Sequence, residues 1–393
     1  MAARGTPLEV LGVALRLGLT SFGGPIAHIG YFRREYVERR GWLDEATYAD
    51  LVALSQSLPG PASSQLGIAI GTRRAGLLGG LAGWLGFTLP SALALVLFAQ
   101  VTGAVDLSSA GWVRGLKIAA VAVVAQAVWS MARRLTPDWP RRGVAAIATL
   151  AALAWTSPYS QVVIIAAGAL AGRLLLAPPP ERATGPEPSP VSRRVGIAAL
   201  VAFFALLVGL PLLRLIVDSQ ALALIDAFYR SGALVFGGGH VILPLLHATV
   251  VTPGWVSNSA FLAGYGAAQA VPGPLFTFAA YLGAVMRLPP SGWPGATLAL
   301  TAIFLPSFLL IWGALPFWDV LRRSVGFRRA LSGTNAAVVG ILLAALYTPI
   351  WTSAISAPVD LAIALAALAL LVVGRAPPIV VVLLAAAAGQ VVG

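Results

Sequence analysis

Apolar residues in this chain fall into long continuous runs that short polar segments separate. Because the runs are continuous and do not alternate, they predict membrane helices and exclude a β-barrel. A spanning helix needs about 20 residues, so the chain has room for about 10 to 13 membrane elements. The predicted runs are 8–29, 46–71, 75–101, 112–131, 143–157, 159–176, 195–217, 222–250, 259–286, 292–318, 331–350, 358–373 and 377–392.

Polar segments divide the chain into four predicted parts. The segment 177–194 holds six prolines and no apolar run, which predicts an extended cytoplasmic linker. It separates a first repeat, 1–176, from a connecting transmembrane helix, 195–218, and a second repeat, 219–393. Residues 1–7 lead directly into the first run, so no cleavable signal peptide is expected.

The second half of the chain repeats the motifs of the first half in the same order, at offsets of 213 to 218. Such self-similarity is typical of internal duplication. The matching pairs are Arg16 with Arg230, Phe22-Gly23-Gly24 with Phe236-Gly237-Gly238, Trp42 with Trp255, Gln56-x-x-Pro59-Gly60-Pro61 with Gln269-x-x-Pro272-Gly273-Pro274, Leu89-Pro90-Ser91 with Leu305-Pro306-Ser307, and Gly115-x-Lys117 with Gly333-x-Asn335.

The distribution of arginine predicts that the two repeats have opposite orientations. In the first repeat the loop 132–142 is arginine-rich and the loop 102–111 has no basic residue. In the second repeat the order is reversed: 321–330 is arginine-rich and 351–357 is not. Basic loops stay in the cytoplasm, so corresponding elements point in opposite directions. Inverted repeats with broken helices are the plan of many secondary transporters.

The composition supports a polytopic membrane protein, with 58% hydrophobic and only 10% charged residues. The net charge of +12 comes mostly from arginines in loops between apolar runs, which indicates the positive-inside pattern and no nucleic-acid partner. There is no cysteine and there are only three histidines. We therefore expect no metal site and no cofactor.

The helix-breaking motifs are the first candidates for a binding site. Paired glycines, and two prolines around a glycine, stop a helix and leave backbone groups unpaired. Within a membrane this is tolerated only where the backbone is buried in protein or lines a cavity. A half-helix that starts after Pro61 or Pro274 would point its positive end at an anion. Ser63 and Ser64, and Thr277 in the second repeat, could add hydroxyl groups. Close helix packing and a structural kink remain the alternatives.

Charged and titratable side chains in the apolar runs need compensating partners. Arg16, Arg230 and Lys117 could contact an anion or form local ion pairs; Asp226 and Glu9 are the candidate acidic partners. Asn335 replaces Lys117 in the second repeat. His28 and His240 flank the glycine pairs and serve either packing or a proton-linked function.

The positions of the acidic residues bear on the charge of the substrate. All fourteen are expected in loops, in the linker or near element ends, and none lies in the four motif segments. A cation pathway needs carboxylates at the membrane midplane. The motifs therefore favour an oxyanion substrate. An intramembrane enzyme is disfavoured because no acid, base or nucleophile cluster is visible, and a scaffold because it would not need two helix-breaking Pro-Gly-Pro sites.

The chain resembles the chromate ion transporter family. The resemblance rests on Thr20-Ser21-Phe22-Gly23-Gly24-Pro25, Arg40-Gly41-Trp42-Leu43 and Ser55-Gln56-Ser57-Leu58-Pro59-Gly60-Pro61, and in the second half on Phe236-Gly237-Gly238-Gly239 and Val271-Pro272-Gly273-Pro274. It implies an inner-membrane transporter that exports chromate and confers chromate resistance. Sulfate or another oxyanion is the alternative substrate.

The sequence thus predicts an all-α polytopic membrane protein with two inverted halves, broken or re-entrant at the motifs, that is not an enzyme. The expected partners are a chromate- or sulfate-like dianion and the lipid bilayer, and a homodimer is compatible with these features. The N-terminus is expected in the cytoplasm and the C-terminus outside. The predicted substrate-binding residues are Arg16, Phe22, Gly23, Gly24, Pro25, Gln56, Pro59, Gly60, Pro61, Ser63, Lys117, Arg230, Phe236, Gly237, Gly238, Gln269, Pro272, Gly273, Pro274 and Asn335.

Overall fold

The computed structural model describes residues 5–103, 111–155, 160–178, 189–236 and 242–392, and within these ranges it contains helices and no strand. The α-helices are α1 (Pro7–Thr20), α2 (Gly24–Phe32), α3 (Glu45–Ser57), α4 (Ala62–Gly103), α5 (Gly111–Leu135), α6 (Trp139–Ala154), α7 (Ser160–Leu175), α8 (Arg193–Leu213), α9 (Gln220–Leu234), α10 (Ile242–Leu246), α11 (Asn258–Ala270), α12 (Phe278–Ala284), α13 (Gly292–Ala314), α14 (Trp318–Arg323), α15 (Val325–Ala345), α16 (Thr352–Ala354), α17 (Pro358–Val372) and α18 (Pro378–Val392). Three π-helical segments (Arg33–Arg39, His247–Val251 and Leu346–Trp351) and two 3₁₀ turns (Leu275–Thr277 and Leu315–Phe317) complete them.

The first Gly-Gly motif breaks the predicted run 8–29 into two helices. The backbone of Ser21 is extended at the end of α1, and Gly23 and Gly24 have φ angles of +97° and +75°. Only glycine adopts this left-handed conformation readily. The helix-breaking function predicted for this motif is confirmed.

The run 222–250 is likewise not one helix. Helix α9 ends at Leu234, and Val235 and Phe236 are not helical. The motif residues Gly237, Gly238 and Gly239, together with His240, lie outside the described residues. The predicted turn at Ser157-Pro158 and most of the linker 177–194 lie outside them too.

Each Pro-Gly-Pro motif ends one helix and starts a short helix that folds back. In the first repeat α3 ends at Ser57 and α4 begins at Ala62, and α4 is broken at Ala75 and Gly76. Its first part, 62–74, is about 20 Å long at 1.5 Å per residue, which is too short for a hydrocarbon core of about 30 Å. The predicted runs 46–71 and 259–286 are therefore each interrupted at the motif, and the helix that follows is re-entrant.

Equivalent glycine contacts close the two re-entrant hairpins. A methyl group on Gly71 would overlap the carbonyl of Gly79 within α4. In the second repeat a methyl group on Gly283 would overlap the carbonyl of Gly295, where α12 packs against α13. Small residues permit such close backbone approach in membrane helices.

The described chain forms two compact units, and each combines elements of both predicted repeats. Unit 1 comprises Met1–Leu97, Glu181–Gly239 and Pro272–Arg323. Unit 2 comprises Phe98–Pro180, His240–Val271 and Ser324–Gly393.

Within unit 1 the equivalent helices α4 and α13 run antiparallel. Trp84 packs edge-on against Phe304, with ring centroids 5.6 Å apart. Further along α4, Ala92 packs with Ala296 in one apolar cluster. Residue numbers along α13 decrease in the direction in which those along α4 increase. These two corresponding helices therefore point in opposite directions. The repeats are therefore inverted, as the arginine pattern predicted.

Unit 2 shows the same reciprocal arrangement between helices of the two repeats. A methyl group on Gly115 of α5 would overlap the carbonyl of Ala385 on α18. A methyl group on the corresponding Gly333 of α15 would overlap the carbonyl of Gly168 on α7. Each repeat thus supplies the helix against which the other repeat packs.

Helix α8 lies between the two predicted repeats. It packs in unit 1 against α9, where the Tyr229 hydroxyl donates a 2.9 Å hydrogen bond to the Phe203 carbonyl, and against α13, where Gly196 approaches Gly313.

Five helical segments of the described residues are long and apolar enough to cross a membrane: Ala62–Val101, Gly111–Leu135, Arg193–Leu213, Gly292–Arg323 and Val325–Ala354. Their outward faces carry large apolar side chains such as Leu78, Leu97 and Phe204. The protein is a multi-pass membrane protein with an all-α fold.

Candidate functional site

The first Gly-Gly break lies directly against the second Pro-Gly-Pro turn in unit 1. The Ser21 carbonyl accepts a 2.9 Å hydrogen bond from the Gly273 amide. The same carbonyl lies 3.2 Å from Nε2 of His28. A backbone carbonyl only accepts hydrogen bonds, so Nε2 carries the proton. The break and the turn are therefore joined through one backbone oxygen.

A corresponding contact joins the end of α9, just before the second Gly-Gly motif, to the first Pro-Gly-Pro turn. The amide of Gly60 donates a 2.6 Å hydrogen bond to the carbonyl of Val235. Val235 precedes Phe236 as Ser21 precedes Phe22. Each break is thus bonded to the turn of the other repeat.

The serine of each Leu-Pro-Ser motif lies beside the Pro-Gly-Pro turn of the other repeat. A methyl group on Gly60 would lie 3.0 Å from Oγ of Ser307, and one on Gly273 would lie 2.8 Å from Oγ of Ser91. The φ angles of the two glycines are +124° and +96°. Both positions therefore require glycine, because of the backbone conformation and because a serine approaches closely.

The hairpin register places both turns at one level of unit 1. In α4, Gly71 faces Gly79 and Gly67 faces Gly83. Continuing this antiparallel register places the turn at Gly60 beside Pro90, about halfway along the segment 77–103. Gly273 lies against Ser91 at the same level. Half the length of a spanning helix corresponds to the middle of the membrane.

Six buried polar side chains at or beside the two turns have an atom with no hydrogen-bond partner among the described residues. We call them the polar layer. They are Ser21 (Oγ), His28 (Nδ1), Ser64 (Oγ), Gln65 (Oε1), Thr88 (Oγ1) and Ser307 (Oγ).

Unpaired polar atoms are expensive inside a membrane protein. Burying a polar group without a hydrogen bond costs roughly 2 to 7 kcal/mol, depending on the reference state. The cost is offset when a polar ligand or water meets these atoms. Four of the six are hydroxyl groups that can donate to an anion, and no carboxylate belongs to the polar layer. Its chemistry therefore suits an oxyanion.

The sequence identified the turns, Ser64 and His28, but not the other members of the polar layer. Gln65 follows Ser64 in the first helical turn after Pro61, where a half-helix N-terminus leaves amides unpaired. Ser307 belongs to a repeated motif that was recognised only as a repeat. Its position after Leu-Pro in both halves was the signal that could have identified it.

Several predicted residues also lie at or near the turns in unit 1. Phe22, Pro59, Pro272 and Phe236 are half-buried, and Ser63 is buried. Pro61 and Pro274 are buried beside their glycines, and Pro25 lies in the first turn of α2. Gln56 is exposed on α3.

The two equivalent arginines of unit 1 have different surroundings. Arg230 forms a 2.8 Å ion pair with Asp226, and Arg214 forms a second one of the same length with the same carboxylate. The position that corresponds to Asp226 in the first repeat is Gly12, and Arg16 is exposed on α1. Arg230 is thus held by a structural partner, as its (i, i+4) spacing predicted.

Two expectations about acidic residues are wrong. Asp226 does not lie near an element end, because the helix that carries it, α9, ends at Leu234 and places this fully buried residue in its middle. Glu9 does not pair with Arg16; it pairs with Arg74 at 3.2 Å. Arg74 lies at the end of the re-entrant half-helix, where the hairpin brings it to the start of α1.

Lys117, Gln269 and Asn335 belong to unit 2. The Lys117 ammonium donates a 2.9 Å hydrogen bond to Oγ of Ser259 on α11. Gln269 Nε2 and Asn335 Oδ1 are buried and have no partner within the described ranges. In the part of the chain that the structure describes, no group of three or more histidine or acidic side chains could hold a metal ion.

An inverted-repeat helical bundle with re-entrant half-helices and a polar layer in its membrane-embedded part defines a membrane transporter. The chromate transporter family model matches residues 8–173 and 222–390, and the chain belongs to that family. The two matched regions correspond to the two homologous halves.

Curated relatives carry the same description. The chromate transport protein of Pseudomonas aeruginosa is 31% identical over 84% of this chain and 77% of its own length. The probable chromate transport protein of Synechococcus elongatus is 28% identical over 84% and 81% of the two chains. The chromate transport protein of Cupriavidus metallidurans is 27% identical over 91% and 86%. No solved structure matches this chain.

Proposed function

We propose that this protein exports chromate across the cytoplasmic membrane and so confers chromate resistance. The observation that carries the proposal is the polar layer, in which hydroxyl groups without partners surround two helix-breaking turns and no carboxylate is present. Family membership and the names of the relatives support chromate as the substrate.

Neutral donors are proposed to hold the anion. Ser21, Thr88 and Ser307 offer hydroxyl groups, and the half-helix that begins at Ala62 offers its N-terminal amides. The charge of +12 on the whole chain favours an anion at longer range. Lys117 and Arg16 are proposed to contribute to this field. Arg214, at the end of α8, is proposed to hold α8 against α9 through Asp226, which also pairs with Arg230.

The membrane potential is the proposed source of energy. Moving one charge across 100 mV is worth about 2.3 kcal/mol, so an anion leaving a negative interior gains about 2.3 kcal/mol for each negative charge that it carries. Export can therefore proceed without ATP. The arginine-rich loops support an orientation with the N-terminus in the cytoplasm and the C-terminus outside.

Chromate accumulation in everted membrane vesicles tests the proposal. Vesicles that contain the protein should accumulate chromate when the potential is applied, and vesicles without it should not. Equal accumulation in both would contradict the proposal. The same experiment with sulfate tests the alternative oxyanion, because faster sulfate transport would make sulfate the substrate.

A further inference from the structure

Two of the unpaired atoms in the polar layer accept hydrogen bonds and do not donate them. Gln65 is fixed because its Nε2 donates a 2.6 Å hydrogen bond to the Pro59 carbonyl. Its Oε1 is therefore the atom left buried without a partner. An amide oxygen only accepts hydrogen bonds, so the ligand of this atom must supply a proton.

His28 presents the same chemistry beside the other turn. Its Nε2 donates to the Ser21 carbonyl, which leaves Nδ1 with a lone pair in the neutral ring. Nδ1 is buried and has no partner in the described part of the chain. The ring is also held edge-on against Phe87, with centroids 5.1 Å apart, so its orientation is fixed.

The described hydrogen-bond and ring partners of Gln65 and His28 are neutral: the Pro59 carbonyl, the Ser21 carbonyl and the Phe87 ring. Tyr48 donates from its hydroxyl to the Ile29 carbonyl on α2, and tyrosine ordinarily titrates near pH 10. The charged side chains of the neighbouring helices are engaged elsewhere or exposed: Glu9 pairs with Arg74, and Arg16 is exposed on α1. No carboxylate or cation is bonded to Gln65 or His28 among the described residues.

A site for a fully deprotonated oxyanion needs donors alone, because every oxygen of such an anion accepts hydrogen bonds. A protein acceptor that faces such an anion repels it and has no hydrogen-bond partner. A buried acceptor without a partner costs the full free energy of removing that group from water. An oxyanion with one hydroxyl group satisfies an acceptor and several donors together. Fixed acceptors therefore act as specificity elements.

We infer that the polar layer binds a tetrahedral oxyanion that carries one proton, with Gln65 Oε1 or His28 Nδ1 accepting from its hydroxyl group. This inference rests on the proposed function and specifies its substrate class. Hydrogen chromate belongs to this class, because the chromate dianion takes up one proton near neutral pH. Sulfate stays a dianion there and falls outside the class.

Equilibrium binding to the purified full-length protein tests the inference, with chromate and sulfate as probes between about pH 6 and about pH 8. The apparent affinity for chromate should be higher at the lower pH, because hydrogen chromate is more abundant there. It should fall by up to about tenfold for each pH unit above the pKa of hydrogen chromate. Sulfate should bind at least about tenfold more weakly than chromate at the lower pH.

The variant Gln65→Met removes the acceptor and keeps the length of the side chain. It should lower the preference for chromate over sulfate by about tenfold. Because the variant also loses the bond to Pro59, a distorted turn would weaken both anions equally, and the ratio of affinities is therefore the quantity to compare. Gln126→Met is the matched control, since Gln126 donates to the Leu371 carbonyl in unit 2, and its ratio should stay that of the wild type.

Three outcomes would overturn the inference. Equal or tighter binding of sulfate by the wild type, with no dependence on pH, would contradict it and leave an oxyanion transporter standing. An unchanged ratio in a folded Gln65→Met variant, together with pH-independent binding of chromate, would do the same. Binding of neither anion would contradict the proposed function and this inference with it.

Discussion

Glycine at the two Pro-Gly-Pro turns is required for a reason that the structure makes specific. At Gly60 the backbone has a φ of +124°, and a methyl group would lie 2.5 Å from Nε2 of Gln65. Gly60→Leu therefore strains the turn and displaces a member of the polar layer. We expect chromate transport to fall at least about tenfold while the protein still inserts in the membrane.

Gly209→Leu is the control for this substitution. Gly209 lies on α8, where an added methyl group meets nothing within 4 Å. Transport rates measured at equal membrane abundance should separate the two variants. A wild-type rate for Gly60→Leu would show that the turn is a packing kink and not part of the binding site.

The buried Asp226 holds two arginines, so its substitution should affect stability more than transport. Asp226→Asn removes the shared partner of Arg214 and Arg230. Breaking a fully buried ion pair costs about 3 to 5 kcal/mol. Both arginines are partly exposed, at 38% and 25%, so we expect a smaller loss of about 2 to 3 kcal/mol.

Thermal unfolding of the purified variant measures this loss. Glu38→Gln breaks the exposed pair with Arg33 and serves as the control, since pairs of this kind contribute little. Equal melting temperatures for Asp226→Asn and the wild type would refute a structural function of this cluster. The partner of Arg230 was predictable from (i, i+4) spacing, but the second arginine was not, because Arg214 follows a different helix.

At the scale of elements, the re-entrant hairpins depend on contacts between glycine backbones. A valine at Gly71 would overlap the carbonyl of Gly79 and separate the half-helix 62–74 from the rest of α4. Overpacking of this kind typically costs about 1 to 3 kcal/mol. We expect Gly71→Val to lower the melting temperature and to abolish chromate transport.

The matched control is Gly12→Val on α1, where an added methyl group meets nothing within 4 Å. Both variants place valine within a helix, so a general effect of β-branching would appear in both. Indistinguishable melting curves for the two would rule out the proposed closure of the hairpin.

Hydrophobic runs predicted where the helices are, but not where they stop. The runs 46–71 and 259–286 pass through Pro-Gly-Pro because apolar composition does not register a break in the hydrogen-bond pattern. The motif residues themselves carried that information, and the breaks they predicted are present. The sequence could not predict that Gln65 and Thr88 have unpaired atoms. Whether these atoms find hydrogen-bond partners depends on which groups of the other repeat pack within reach of them.

At the scale of the whole molecule, the inversion of the repeats leads to a testable topology. Ser324, at the start of α15, follows an arginine-rich segment and should face the cytoplasm. Thr352, in the segment after α15, should be external. The chain has no cysteine, so Ser324→Cys and Thr352→Cys each introduce one unique label.

A membrane-impermeant thiol reagent applied to intact cells should react with Thr352→Cys and not with Ser324→Cys. The pattern should reverse in everted vesicles, which is the internal control. Labelling of Ser324→Cys from outside intact cells would contradict the proposed orientation.

The central claim is that the polar layer binds the transported oxyanion, and chromate transport by a matched pair of variants on one helix tests it most directly. Ser307→Ala removes an unpaired hydroxyl beside Gly60, whereas Thr297→Ala removes an exposed hydroxyl that donates to the Trp293 carbonyl on the same α13. In proteoliposomes with an imposed potential, we predict potential-driven chromate transport by the wild type. We also predict a half-saturating concentration raised about tenfold by Ser307→Ala and unchanged by Thr297→Ala. An unchanged value for Ser307→Ala, or no chromate transport by the wild type, would contradict the account.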